Sequence, residues 1–69
     1  MKKRKVILYN GQSGYIVAEC PSLAGCVSQG RTRREVIENI KEAIDLYIKT
    51  LIEDGESVPE DTVEIVEVE

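Results

Sequence analysis

Residues 20–35 read CPSLAGCVSQGRTRRE, and their reading decides the fold. Pro21, Gly25 and Gly30 punctuate a short apolar run. Thr32 and Glu35 then form an S/T-x-x-E capping box, the signature of a helix start. Pro21 cannot donate to a ladder, so strand pairing is expected to break there. Gly25 supplies an unusual backbone angle in the loop. Residues 26–29 make a short strand that ends at Gly30. The segment therefore describes a strand–loop–strand–helix path. It holds no residue suited to acid–base or nucleophilic work except Cys20 and Cys26.

Upstream, residues 5–9 are β-rich and bounded by Asn10-Gly11. Gln12, Ser13 and Gly14 continue the turn, and residues 15–20 form the next strand. Such glycine-containing turns between two β-rich runs predict a hairpin. Ile16, Ala18 and Cys20 share one face of the second strand. Tyr15, Val17 and Glu19 share the other, and Glu19 marks it as the wetter face.

Downstream, the spacing predicts a helix over 33–53, capped by Thr32 and stopped at Gly55. At 100° per residue, Val36, Ile37, Ile40, Ala43, Ile44, Tyr47 and Leu51 fall within one stripe. The Glu35 carboxylate is expected to reach back to the Thr32 amide. Arg34–Glu38, Asp45–Lys49 and Lys49–Glu53 are spaced for ion pairs. Leu46 and Ile52 miss the stripe on opposite flanks, and Ile48 sits on its edge. These three point to a protein contact, with Glu42 and Glu53 beside them.

An acidic loop with Pro59 spans residues 54–61. Residues 62–68 are predicted as a last strand of imperfect alternation. Val63 and Ile65 share one face, while Val66 and Val68 share the other. The expected class is α+β, in the order β-β-β-α-β. A four-stranded mixed sheet of order 3-2-1-4 would carry the helix on one face. Tyr15, Val17, Val66 and Val68 would then line the open face, and an uncovered apolar face invites a partner.

With 69 residues the chain makes one small domain. A domain this size buries only about 60% of its unfolded surface, so a staple or a partner is usual. There is no histidine and only two cysteines, which leaves no metal constellation. A Cys20–Cys26 disulfide would close a very short loop, and both read better as small buried hydrophobes. Self-association as a dimer or tetramer is the expected source of extra stability. The formal net charge of −4 argues against a dedicated nucleic-acid binder and suits a basic partner. The basic run at residues 2–5 reads as a solvated tail, and Arg31, Arg33 and Arg34 make a second small cluster. No stretch is long enough for a membrane span or a signal-peptide core, so a cytoplasmic protein is expected.

Chemistry is sparse. The carboxylates fall on solvated positions, and neither cysteine has a histidine to activate it. The glycine pairs lack the lysine and hydroxyl residue of a phosphate loop. No cofactor and no enzymatic activity are expected.

The pattern as a whole resembles the HicB antitoxin family in its small single-domain branch. The matching positions are Gly14-Tyr15, Pro21, Leu23, Gly25-Cys26, Ser28, Gly30, Thr32, Glu35, the run Asn39-Ile40-Lys41-Glu42-Ala43-Ile44, Gly55-Glu56 and Pro59. The resemblance implies a partial ribonuclease-H-like fold. It implies neutralisation of HicA, a small basic toxin that cleaves messenger RNA using a histidine. Family members usually add a C-terminal DNA-binding domain. Residues 1–69 read as a single HicB-like domain without one, so direct promoter binding is not expected. The first strand also lacks the metal-binding aspartate of ribonuclease-H nucleases.

Two functions follow as expectations. The first is a binding module that occludes a basic toxin through Glu42, Leu46, Ile48, Ile52 and Glu53. The second is a stand-alone oligomeric domain that contacts nucleic acid through its arginines.

Overall fold

A computed structural model describes residues 3–69. Lys2, part of the basic run, lies outside the described residues. Three strands, β1 (Ile7–Asn10), β2 (Ile16–Glu19) and β3 (Val27–Gly30), precede one helix, α1 (Arg33–Glu53). The strands form an antiparallel meander in the order β1-β2-β3.

The first turn is centred on Ser13-Gly14, three residues beyond Asn10-Gly11. Ser13 and Gly14 both have positive φ, and the Tyr15 amide donates to the Gln12 carbonyl at 3.2 Å. That is a type I′ turn, whose twist matches the flanking strands. The β2–β3 connection is two successive turns. Leu23 N–H donates to the Cys20 carbonyl, and Cys26 N–H to the Leu23 carbonyl. Gly25, at φ +76°, takes the third position of the second turn, where a side chain would be strained. This folding back drives Leu23 inward until it is 1% exposed.

Thr32 caps α1 as its sequence predicts. Its hydroxyl oxygen accepts from Glu35 N–H at 3.1 Å. The return bond differs by one residue: the Glu35 carboxylate accepts from the Arg31 amide, not that of Thr32. Thr32→Ala is expected to lower stability by about 1 kcal/mol, read as a lower urea midpoint. An unchanged midpoint would mean that the cap contributes nothing. At the other end Glu56 N–H donates to Leu51 O and Gly55 N–H to Ile52 O, the paired bonds of a Schellman stop.

The core lies between α1 and one sheet face. Ala18, Cys20, Leu23, Cys26, Val36 and Ile40 are buried, with Ile16, Ile37, Ala43, Ile44 and Tyr47 packed around them. Both cysteines are free thiols. Burial, and secondarily Cys20, pushes the Cys26 thiol above its ordinary pKa. Tyr47 reaches past the core to donate to the Ala24 carbonyl at 2.8 Å, pinning helix to loop.

The expected four-stranded mixed sheet of order 3-2-1-4 is not formed. The sheet has three strands, all antiparallel, and residues 62–69 join no ladder. The imperfect alternation supplies the reason. With Val63 and Ile65 on one face and Val66 and Val68 on the other, no single register beside β1 buries them all. Val66 and Val68 therefore do not line the open face, and both are exposed. The N-terminal run is also not simply a solvated tail. Arg4 donates to Ser22 Oγ at 3.0 Å and to the Pro59 carbonyl at 2.7 Å. Lys5 N–H donates to the Asp61 carboxylate, which holds that carboxyl below its ordinary pKa. These bonds tie the acidic loop to the start of β1.

Candidate partner-binding surfaces

The structure divides the predicted contact residues between two stripes of α1. Glu42, Leu46, Lys49 and Glu53 follow the i, i+4, i+7, i+11 spacing of one stripe. All are exposed, and Leu46 is 66% exposed. Ile48 instead turns into a groove beside the helix and is half-buried. Ile52, 63% exposed, lies on that same flank, four residues beyond Ile48. The five residues therefore do not form one patch.

Of the expected helix ion pairs only Arg34–Glu38 is made, at 3.8 Å, and it is the single ion pair among the described residues. Asp45–Lys49 and Lys49–Glu53 are not formed. Long exposed side chains gain little from such pairs, so their carboxylates remain open to another molecule.

The arginine cluster disperses. Arg31 lies over the Tyr15 ring at 4.7 Å and donates to its hydroxyl at 3.1 Å. Arg34 faces Glu38, and Arg33 lines the groove. This spread offers no continuous track for a phosphate backbone.

The second surface is the open sheet face. Ile7 pairs with Glu19 and Tyr9 with Val17, while Glu19 and Val17 pair onward with Val27 and Gln29. Directly paired residues share a face. Ile7, Tyr9 and Val27 are 41%, 47% and 48% exposed, with Glu19 between two of them. This face matches the one expected from Tyr15 and Val17, without the contribution from the tail.

The third surface was not foreseen. The helix lies over β2 and β3 and makes no close backbone approach to β1. A groove of about 760 Å³ opens in the gap. Val6 and Leu8 form one wall and Ile37, Ile40, Ile44 and Ile48 the other, with Val58 also lining it. Lys3, Arg4, Arg33, Lys41 and Asp45 supply its polar lining. The sequence signal was present in the width of the apolar stripe, which is broader than two short strands can cover.

No group of three or more metal-ligating side chains occurs among the described residues. No helix among them is long and apolar enough to cross a membrane.

Residues 5–69 match the family described as HicB_like antitoxin of bacterial toxin-antitoxin system. A UPF0150 protein of Thermoplasma acidophilum is 44% identical over 62 residues, covering 90% of each chain. One from Archaeoglobus fulgidus is 38% identical over 65 residues, covering 91% of this chain and 94% of its own. One from Synechocystis is 48% identical over 56 residues, covering 81% of this chain and 71% of its own. No solved structure gives a significant match. With the family model and these relatives matching along nearly the whole length, the chain belongs to the HicB-like antitoxin family.

Proposed function

We propose that the chain neutralises a small basic, RNA-cleaving toxin of the HicA type by covering it, without chemistry of its own. The reading rests on one observation above all. Leu46 stands exposed on α1 between Glu42 and Glu53, and neither carboxylate is engaged by a cation among the described residues. An apolar anchor flanked by free acid suits a basic partner. The carboxylates steer encounter, and Leu46 holds the docked partner. Antitoxin action is then steric: a toxin seated on this stripe cannot admit RNA. The cytoplasm, where messenger RNA is translated, is the place for such a role.

The test is binding kinetics against a purified HicA-type toxin, at two salt concentrations. Reversing Glu42 and Glu53 to lysine is expected to slow association about tenfold or more and flatten its salt dependence. Leu46→Asp is expected to speed dissociation instead, since a charge would be desolvated in the contact. Both variants keep the fold, because these side chains face solvent. If neither rate moves in either variant, the outer stripe of α1 is not the toxin surface.

A further inference from the structure

The groove between α1 and β1 has the wrong rim for a basic toxin. Its lining includes four cations, Lys3, Arg4, Arg33 and Lys41, against one carboxylate, Asp45. Like charges across an interface disfavour docking, so a basic partner is excluded here and an acidic one is admitted. The floor is apolar, and β1 pairs only with β2, leaving its outer edge without a partner strand. A fitting occupant is therefore extended, apolar and acidic.

This chain carries one such segment. Residues 63–69 read VEIVEVE. Ile65, Val66 and Val68 are 67%, 63% and 87% exposed, and Glu64, Glu67 and Glu69 carry the charge opposite to the rim. The root of this tail is held. Pro59 accepts from Arg4, and Asp61 accepts from Lys5 and from Val63 N–H. Beyond Val63 the tail makes no hydrogen bond to the rest of its described chain. It leaves its anchor with three apolar side chains in water.

We propose that the groove seats the acidic, apolar tail of a second copy of this chain, each tail crossing to the other's groove. The exchange is reciprocal, as a closed two-fold pair requires. Apolar tail residues fill the space over Val6 and Leu8, and the glutamates meet Arg33 and Lys41 at the rim. This assignment is independent of the toxin surface, which lies on the other side of the helix.

Charge reversal in complementary halves tests it by light scattering on full-length protein at micromolar concentration. The unaltered chain is expected at dimer mass. Arg33→Glu with Lys41→Glu acidifies the groove, and Glu64→Lys with Glu67→Lys makes the tail basic. Each double variant is expected to weaken self-association tenfold or more, to monomer mass. The second takes the formal charge from −4 to zero, so general repulsion cannot account for its loss. An equimolar mixture is expected to regain dimer mass, since each groove then meets a tail of opposite sign. Circular dichroism checks that the helix persists; all four positions are exposed. A monomeric unaltered chain overturns the proposal, whether its own tail or a foreign segment fills the groove. A dimer indifferent to both reversals places the contact on another face and also overturns it, as does a mixture that stays monomeric.

Discussion

Replacing Leu23 with alanine is expected to remove about 2–5 kcal/mol of stability. Leu23 sits at the junction of the two turns between β2 and β3, 1% exposed, and is among the largest side chains sealed in the core. Its loss opens a hole in the buried cluster that it forms with Ala18, Cys20, Cys26, Val36 and Ile40, and the tight turns hold the backbone so that the hole cannot close. A domain of this length has only roughly 3–10 kcal/mol in all. Leu23→Ala is therefore expected to leave a large fraction unfolded at 37 °C. Urea denaturation followed by circular dichroism measures it. Leu46→Ala is the matched control. That side chain is 66% exposed, so its midpoint is expected to stay within about 0.5 kcal/mol of the unaltered chain. Equal midpoints for the two variants would show that the loop is not part of the core.

Gly30→Ala is expected to cost about 1–3 kcal/mol by crowding rather than by a cavity. A Cβ at Gly30 would meet the Val36 backbone nitrogen at 2.7 Å and its Cα at 3.0 Å. Those are main-chain atoms of the first helical turn, and no rotamer change moves them. The helix start would have to lift from β3, straining the Thr32 cap and shifting Val36, which is fully buried. Gly25→Ala separates the two causes. No atom lies within 4 Å of its added Cβ, so its cost comes from the φ of +76° alone. If Gly30→Ala unfolds at the same urea concentration as the unaltered chain, the close approach of helix to strand is not real.

Much of this arrangement was legible in local sequence. The bounds 33–53 follow from Thr32, Glu35 and Gly55, because helix ends are decided by bonds a few residues apart. The assignment of Ile16, Ala18 and Cys20 to the core face follows from the two-residue period of a strand. The fourth strand could not be read the same way. Whether residues 62–68 pair depends on a distant edge and its register, which local pattern does not encode. Leu23 shows a similar gap: it lies in no periodic element, and only the two turns aim it inward. Arg4 reads as one of several cations in a solvated basic run, yet its bonds reach Ser22 and Pro59, residues 18 and 55 positions away. At the partner surface, the exposure of Leu46 and Ile52 on opposite flanks was readable from helical angle. The width of the apolar stripe hinted at uncovered helix surface, but the place of the groove was not readable, because it arises from the helix covering β2 and β3 and stopping short of β1.

The placement of the tyrosines has an optical consequence. The chain has no tryptophan and three tyrosines, so its near-ultraviolet signal comes from phenol rings alone. They sample three separate environments. Tyr9 faces solvent on the open side of the sheet, Tyr15 is stacked beneath a guanidinium, and Tyr47 is hydrogen-bonded to the β2–β3 loop. Replacing any two with leucine leaves a chain with a single aromatic chromophore. Tyr9 alone then reports events on the open sheet face, Tyr15 the junction of hairpin and helix, and Tyr47 the seating of α1 on its loop. The molecule carries its own set of spectroscopic labels, one per surface, with no dye attached.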